Sequence, residues 1–283
     1  VLKTCTARPQ PAPENENPGF MDGLSLHYYV HPGGWQDKGS ATDFDEKKWY
    51  QTLEKALYME ELIERHGAIM DQYDPDKKIG MIVDEWGCWF NVEPGTNPGF
   101  LYQQNTMRDA LVAGITLNIF NKHCERVKMA CIAQLVNVLQ SVILTEGPKM
   151  LLTPTYHVFH MYKHHQGAEL AESFVEGNQT TGAEEECQVP LISESVSVSA
   201  DGTVNITVNN LSAADAVPVE ILFTEMAPSQ IEAAILTGKM TAHNTFEEPE
   251  KVKNHVCDLL WENGSVAKVQ VKGDTIQGNL IAM

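Results

Sequence analysis

Positive charge is scarce in this chain of 283 residues. Lys and Arg together number 20 against 38 Asp and Glu, which gives a formal net charge of -18. Nucleic acids and anionic membrane surfaces select clustered Lys and Arg, so we expect partners of neither kind. The sequence also has no apolar run of the roughly 18 residues that a spanning helix needs, and we therefore expect no membrane span.

Cysteine is sparse as well. The six thiols include no C-x-x-C pair, the spacing typical of zinc and dithiol sites, so we expect no metal and no cofactor. So few cysteines in a chain of this length favour a cytoplasmic protein over a secreted one. Four histidines do cluster in the sequence, but no carboxylate lies close to them, and structural roles are expected rather than zinc binding. They are His157, His160, His164 and His165.

The most informative segment that is present is an apolar run ending in a carboxylate, Ile79–Gly87. Its length and its Ile, Val and Met content predict a buried strand. Alternation places Met81, Val83 and Glu85 on one face. A buried carboxylate is costly unless it has a partner or a task, and catalytic groups collect at the C-terminal strand ends of (β/α) barrels. A Glu that only bonds the following loop is the plainer alternative.

Two further segments predict strands of the same sheet. They are Asp22–Tyr29 and Gly114–Phe120. The predicted helices are Phe44–His66 with an Asp43/Glu46 capping box, Gln103–Ala113, and Arg126–Leu144. Strands that alternate with helices in this way predict parallel βαβ units, as in consecutive strands of a barrel.

The C-terminal part has a different pattern. From Leu191 onward, short runs of alternating apolar and polar residues are separated by turn residues. This pattern is typical of an antiparallel β sandwich. We therefore predict two domains, residues 1–175 and residues 176–283.

Several of these segments together resemble family 51 of the glycoside hydrolases, the retaining α-L-arabinofuranosidases. The resemblance depends on Asp22–Tyr29, Val83–Gly87, Gln104–Gly114, Thr116–His123, Ala133–Gln140, Leu152–Phe159, Leu236–Gly238 and Ala242–Phe246. It implies the C-terminal portion of a (β/α)₈ TIM barrel, strands six to eight, followed by a jelly-roll-like β sandwich. The chain does not start with Met, and we expect it to be a fragment.

The resemblance also implies site residues. Glu85 matches the nucleophile, Tyr29 the tyrosine that orients it, and His27 a histidine near the sugar. Trp89 matches an aromatic wall of the sugar pocket, and Gln134 a glutamine that binds a sugar hydroxyl. The implied reaction releases terminal non-reducing α-L-arabinofuranosyl residues from hemicellulose or oligosaccharides with retention of configuration.

One essential group is missing from this match. The family acid/base is a Glu that follows Asn, and the Asn-Glu pair of this chain, Asn15-Glu16, lies in a proline-rich loop. A retaining glycosidase needs two carboxyl groups, so we expect the isolated chain to be inactive.

The missing carboxyl group and the incomplete barrel predict which partners this chain needs. An open barrel exposes strand edges and apolar surface, so we expect a complementing N-terminal half or separate chain, and a homo-oligomer. Two alternatives remain open. One is an endo-β-1,4-glucanase or xylanase on the same scaffold, and the other is a non-catalytic carbohydrate-binding fragment.

Overall fold

A computed structural model of the chain describes residues 21–185, 187–223, 227–256, 266–274 and 278–282. Its N-terminal part is a three-stranded parallel sheet in the order β1-β2-β3. The strands are β1 (Gly23–Val30), β2 (Gly80–Cys88) and β3 (Val127–Ile132). The predicted parallel sheet is therefore confirmed, but within the described residues it is open. A closed barrel is not present there, and the (β/α)₈ assignment stays a prediction.

Helices cover one face of this sheet. They are α1 (Glu46–Asp71), α2 (Met107–Lys122) and α3 (Pro154–Tyr162), with short 3₁₀ turns at Pro98–Phe100 and Lys163–His165. Their apolar core includes Trp49, Met81 and Trp86, all nearly inaccessible to solvent. In the described part of the chain, none of the helices has both the length and the apolar character needed to cross a bilayer.

The predicted strand Gly114–Phe120 is wrong, because these residues lie in α2. The helix starts at Met107, before the predicted strand. Its N-terminus is a capping box in which the side chains of Thr106 and Asp109 bond each other's backbone. It is buried on nearly every side between the parallel sheet and the C-terminal strands. A helix that is apolar all round shows no 3.6-residue period, and a short stretch of it cannot be told from a buried strand.

The predicted helix Arg126–Leu144 is wrong for the converse reason. Its first part is β3, an edge strand with Met129 and Cys131 exposed. Because Lys, Met and Ala favour helices, propensity points away from the observed strand, and pairing with β2 overrides it. The chain then continues through a loop to the hairpin β4 (Ile143–Glu146) and β5 (Lys149–Leu152).

The predicted bounds of α1 also need correction. The helix starts at Glu46 and ends at Asp71, so it runs five residues past the predicted end at His66. Its cap is Asp45, whose carboxylate accepts a hydrogen bond from the Lys48 amide at 2.9 Å. The predicted Asp43/Glu46 box is therefore wrong, although an acidic N-cap is present.

The C-terminal part consists of antiparallel strands in two layers. A six-stranded sheet has the order β13-β12-β14-β10-β9-β6, and a two-stranded ribbon, β11-β15, packs on it through Val219, Ile221 and Phe223. The sheet strands are β6 (Glu169–Ala171), β9 (Ile192–Val198), β10 (Val204–Asn210), β12 (Ala227–Leu236), β13 (His255–Val256) and β14 (Val266–Asp274). The ribbon strands are β11 (Val219–Phe223) and β15 (Gly278–Ala282), and a separate hairpin joins β7 (Thr180–Glu184) and β8 (Cys187–Pro190). The predicted antiparallel strands are confirmed, whereas the domain boundary at residue 175 stays a prediction.

A polar interface joins the two parts. Asn118 of α2, 1% exposed, lies against the hydroxyl groups of Ser193, Ser195 and Thr207 on β9 and β10. The hydroxyl group of Tyr162 also donates to the Asn118 side chain, at 2.9 Å. Buried polar groups are tolerated only when they are paired, so this network fixes how α2 lies on the β layer.

A buried histidine at the same interface makes the stability of the fold depend on pH. His165 has one ring nitrogen 2.8 Å from Ser197 Oγ and the other 3.1 Å from Thr207 Oγ1. Burial lowers the pKa of His165 to about 4. The unfolded chain takes up this proton near pH 6.5. The stabilisation is therefore complete above that pH and is lost as the pH falls to about 4.

We expect the free energy of unfolding to drop by about 3 kcal/mol over this interval because of His165. Urea denaturation at several pH values would measure the drop. His165→Gln keeps a polar side chain but does not titrate. In this variant, the drop in the free energy of unfolding between about pH 6.5 and 4 should be smaller by that amount. An unchanged drop in the variant would refute this origin.

Candidate active site

The candidate site lies on the uncovered face of the parallel sheet, towards the C-terminal ends of β1 and β2. Along β1, Ser25, His27 and Tyr29 share this face because side chains alternate in a strand. The intervening Leu24, Leu26 and Tyr28 pack against the helices instead. The sheet thus separates an apolar side from a polar side.

An irregularity in the pairing of β1 with β2 brings Glu85 to the polar side. Ser25 pairs with Ile82 but His27 pairs with Glu85, so one residue of β1 stands opposite two residues of β2. Such a bulge re-aims the side chains that follow it. The predicted alternation is therefore wrong: Val83 is buried with the core, and Glu85 faces the opposite side. The bulge spares the carboxylate an apolar environment.

Three of the predicted site residues meet at this point. The Tyr29 hydroxyl group donates a hydrogen bond of 2.7 Å to Glu85 Oε2. His27 Nδ1 lies 3.5 Å from the same oxygen. Burial and the bond to Glu85 raise the pKa of Tyr29 well above its ordinary value, so Tyr29 remains a protonated donor. Oε2 is held by two neighbours, and this arrangement leaves Oε1 for other chemistry.

A second carboxylate belongs to the same cluster and was not predicted as a site residue. Asp84 Oδ1 accepts a hydrogen bond of 2.6 Å from the Ser25 hydroxyl group and lies 3.0 Å from His27 Nε2. The bond from Ser25 lowers the pKa of Asp84. Asp84 stands next to Glu85 in the sequence, and a regular strand would have placed the two side chains on opposite faces. The bulge brings Glu85 to the face on which Asp84 lies.

Trp89 stands beside this cluster as predicted for an aromatic wall. Its ring meets the Tyr29 ring edge-on, with centroids 5.0 Å apart. Trp35, which is 66% exposed, lies against Trp89 at 5.5 Å, and the ammonium group of Lys38 lies over both indole rings at 4.7 and 5.2 Å. Trp35 and Lys38 were not predicted, although the loop rich in Gly and Pro that follows β1 is where such groups are found.

Two buried glutamines anchor the segment that carries Trp89. Gln140 Oε1 accepts from the amide of Cys88 at 2.8 Å, and Gln103 Oε1 accepts from the amide of Phe90, also at 2.8 Å. The Gln103 side chain also donates to the Cys88 carbonyl. The backbone on both sides of Trp89 is therefore fixed by interior hydrogen bonds, which limits how far the indole can move.

Gln134 lies at the same edge of the sheet but stays apart from the cluster. It follows the end of β3, and the preceding amide of Ala133 bonds the carbonyl of Trp86, the residue after Glu85. Its side chain is exposed. Trp86 itself belongs to the core, because its ring packs on Phe120 and Phe159.

One group of side chains that could ligate a metal lies away from the Glu85 cluster. In the part of the chain that the structure describes, one group of three, Glu60, Glu64 and His123, has ligand atoms within 4.8 Å of one another. His123 there hydrogen-bonds Glu60, and this bond raises its pKa. Of the predicted histidine cluster, His157 bonds Asn254. The Asn15-Glu16 pair lies outside the described residues.

Comparison with known proteins shows relatives over most of this chain. A family model described as the α-L-arabinofuranosidase C-terminal domain matches residues 84–273. An intracellular exo-α-L-arabinofuranosidase of Bacteroides ovatus is 46% identical over 264 residues, which cover 90% of this chain and 50% of the relative. An intracellular exo-α-(1→5)-L-arabinofuranosidase of Streptomyces lividans is 26% identical over 84% of this chain and 36% of its own length.

The solved structures give the same result. The GH51 arabinofuranosidase of Xanthomonas axonopodis pv. citri superposes with a TM-score of 0.85 at 44% identity, over 89% of this chain and 53% of that one. The chain belongs to the α-L-arabinofuranosidases of glycoside hydrolase family 51, of which it holds the C-terminal part. It spans about half the length of the relatives it matches.

Proposed function

We propose that this chain carries the nucleophile half of an exo-acting, retaining α-L-arabinofuranosidase. The observation that supports the proposal most is the Tyr29–Glu85 hydrogen bond of 2.7 Å at the strand ends, in a chain that belongs to this family. Substrates would be oligosaccharides or hemicelluloses with terminal α-L-arabinofuranosyl groups. The exo assignment follows the names of the Bacteroides and Streptomyces relatives.

Glu85 has the position and surroundings of a nucleophile. Oε2 accepts the Tyr29 hydrogen bond and faces His27, so Oε1 is the oxygen that attacks the anomeric carbon. The glycosidic bond breaks, the sugar becomes an ester of Glu85, and water later cleaves that ester. The ionised carboxylate is the form that attacks, and the Tyr29 hydroxyl group donates a hydrogen bond to it.

The second carboxyl group of the mechanism has no candidate in this cluster. A general acid must carry a proton for the leaving oxygen. Asp84 does not meet this need, because the hydrogen bond from Ser25 lowers its pKa and keeps it ionised. We therefore propose that the acid/base comes from the N-terminal half of the complete protein, and that the chain alone is inactive.

The sugar would be held beside Glu85 by the Trp89 ring and the Gln134 side chain. Trp89 offers an aromatic face next to Tyr29, and CH groups of a furanose pack on such a face. Gln134, at the end of the neighbouring strand, presents an amide that can bond a hydroxyl group. Trp35 extends the aromatic surface outward and would contact the remainder of the substrate.

The uncovered sheet face also bears on assembly. Side chains of this face are about half exposed, among them His27, Glu85 and Met129. We propose that the N-terminal half of the barrel covers it, either in one longer chain or as a complementing chain. A homo-oligomer and an intracellular location are part of the same proposal, the latter from the names of the relatives.

The test is hydrolysis of 4-nitrophenyl α-L-arabinofuranoside by the chain alone and by the chain supplied with the N-terminal half of the Bacteroides ovatus relative. We expect release of nitrophenol only from the complemented protein. Activity of the chain alone would refute the half-site proposal. Binding of arabino-oligosaccharides without hydrolysis in either preparation would favour a non-catalytic carbohydrate-binding protein.

Tyr29→Phe should slow the complemented protein. The change removes a hydrogen bond to a charged group, worth about 1.5 to 3 kcal/mol, which corresponds to about a 10- to 100-fold lower kcat. The matched control is Tyr28→Phe, because Tyr28 points to the helices and donates to the Lys55 carbonyl at 2.8 Å. Equal losses in both variants would indicate a folding defect rather than a role at Glu85.

A further inference from the structure

Two carboxylates and three β1 side chains form one continuous chain of contacts on the polar face of the sheet. It runs from Ser25 through Asp84 to His27, and from His27 through Glu85 to Tyr29. In each carboxylate one oxygen makes both contacts: Oδ1 of Asp84 and Oε2 of Glu85. His27 links the Ser25–Asp84 contact to the Glu85–Tyr29 contact.

We propose that Asp84 is a positioning residue that fixes the ring of His27 towards the nucleophile. The Asp84 carboxylate is only an acceptor, so the nitrogen 3.0 Å away, Nε2, must carry a proton to form the contact. The partner of one ring nitrogen determines the proton position and the orientation of the whole imidazole. With Nε2–H on Asp84, the Nδ1 edge faces Glu85 Oε2.

Ser25 gives Asp84 its orientation in turn. Its hydroxyl group donates to Oδ1 at 2.6 Å, so the carboxylate does not rotate freely towards solvent. Asp84 shares the face of Ser25 because Ile82, two residues before it, pairs with Ser25, and the bulge that follows turns Glu85 to the same face. A carboxylate that orients a histidine beside a reacting group is a general device of active sites.

The inference rests on the proposed function for its effect on turnover, but its structural core can be tested in the chain itself. The experiment is a long-range ¹H–¹⁵N correlation spectrum of the imidazoles at about pH 8, where free histidine is neutral. The His27 signals are assigned by their loss in His27→Gln. We expect Nε2 of His27 to have the shift of a protonated nitrogen.

In Asp84→Ala this signal should move towards the average of a ring that exchanges its proton between both nitrogens. Asp84→Asn, whose carbonyl oxygen still accepts, should largely restore it, and Ser25→Ala should give a smaller shift in the same direction as Asp84→Ala. His123 is the internal control: it bonds Glu60, so Glu60→Gln should move its signal and leave His27 unchanged. An unchanged His27 signal in Asp84→Ala would overturn the proposal.

Turnover of the complemented protein separates this inference from the proposed function. We expect kcat of Asp84→Ala to fall about 10-fold, with Asp84→Asn closer to wild type, because one hydrogen bond to a charged group is lost. If Asp84→Ala changes the His27 signal but the complemented wild type has no activity, the proposed function is refuted and the orientation of His27 by Asp84 is supported. If Asp84→Ala changes the His27 signal and keeps the wild-type kcat, the positioning role is overturned.

Discussion

Glu85→Gln should abolish arabinofuranoside hydrolysis by the complemented protein. The amide has nearly the shape of the carboxylate and can still accept from Tyr29, so the fold and the 2.7 Å contact are kept. It cannot attack the anomeric carbon, and removal of a covalent nucleophile costs about 10⁴-fold or more in kcat. Initial rates on 4-nitrophenyl α-L-arabinofuranoside, with a long time course for the variant, measure the loss.

The matched control is Glu125→Gln. Glu125 lies after α2 and before β3, at the opposite edge of the sheet, where it pairs with Lys77. This substitution removes the same charge from an exposed ion pair, and such pairs contribute little to stability. We expect wild-type rates. A loss of less than about 10-fold in Glu85→Gln would contradict the nucleophile role.

Asn118→Ala should destabilise the chain by about 4 kcal/mol, the largest stability effect we expect. The Asn118 carbonyl oxygen accepts from the hydroxyl groups of Tyr162, Ser195 and Thr207 at 2.8 to 2.9 Å. Each buried hydroxyl left without a partner costs about 1 to 3 kcal/mol, and part of this is recovered when the hydroxyls bond one another. Urea denaturation followed by tryptophan fluorescence would measure the change.

Asn121→Ala is the control for this prediction. Asn121 lies near the end of the same helix, is less buried, and makes one bond of 2.9 Å to Ser195. We expect a loss of about 1 kcal/mol. If both variants lose the same small amount, the polar interface is not what holds α2 to the β layer.

Sequence patterns predicted the segments in which apolar and polar residues alternate. The short strands of the C-terminal part, such as Val204–Asn210, alternate apolar and polar residues and were found where expected. The strand with Glu85 was also located, because it is short and apolar. The first part of α2 falls within the predicted helix Gln103–Ala113, but its second part was predicted as a strand, since its residues are buried on nearly all sides and show no period.

The candidate site was predicted in part, and the limit was the bulge. Tyr29, Glu85 and Trp89 were predicted from the resemblance, and the structure brings them within contact distance of one another in pairs. Strand alternation alone gave Glu85 the wrong face, because the extra residue between Ser25 and His27 pairings leaves no mark in the sequence. Asp84 was missed because the prediction placed Glu85 on the opposite face from it. Its contacts depend on a register that only the paired strands define.

Peptide mass mapping would show directly whether Glu85 forms the covalent sugar ester. The complemented protein is reacted with an activated 2-deoxy-2-fluoro-arabinofuranoside, digested and mapped, with the Glu85→Gln variant treated in parallel. We expect one added glycosyl mass on the peptide that contains Glu85, and none in the variant. A label on a different carboxylate, or the same label in Glu85→Gln, would contradict the nucleophile role of Glu85.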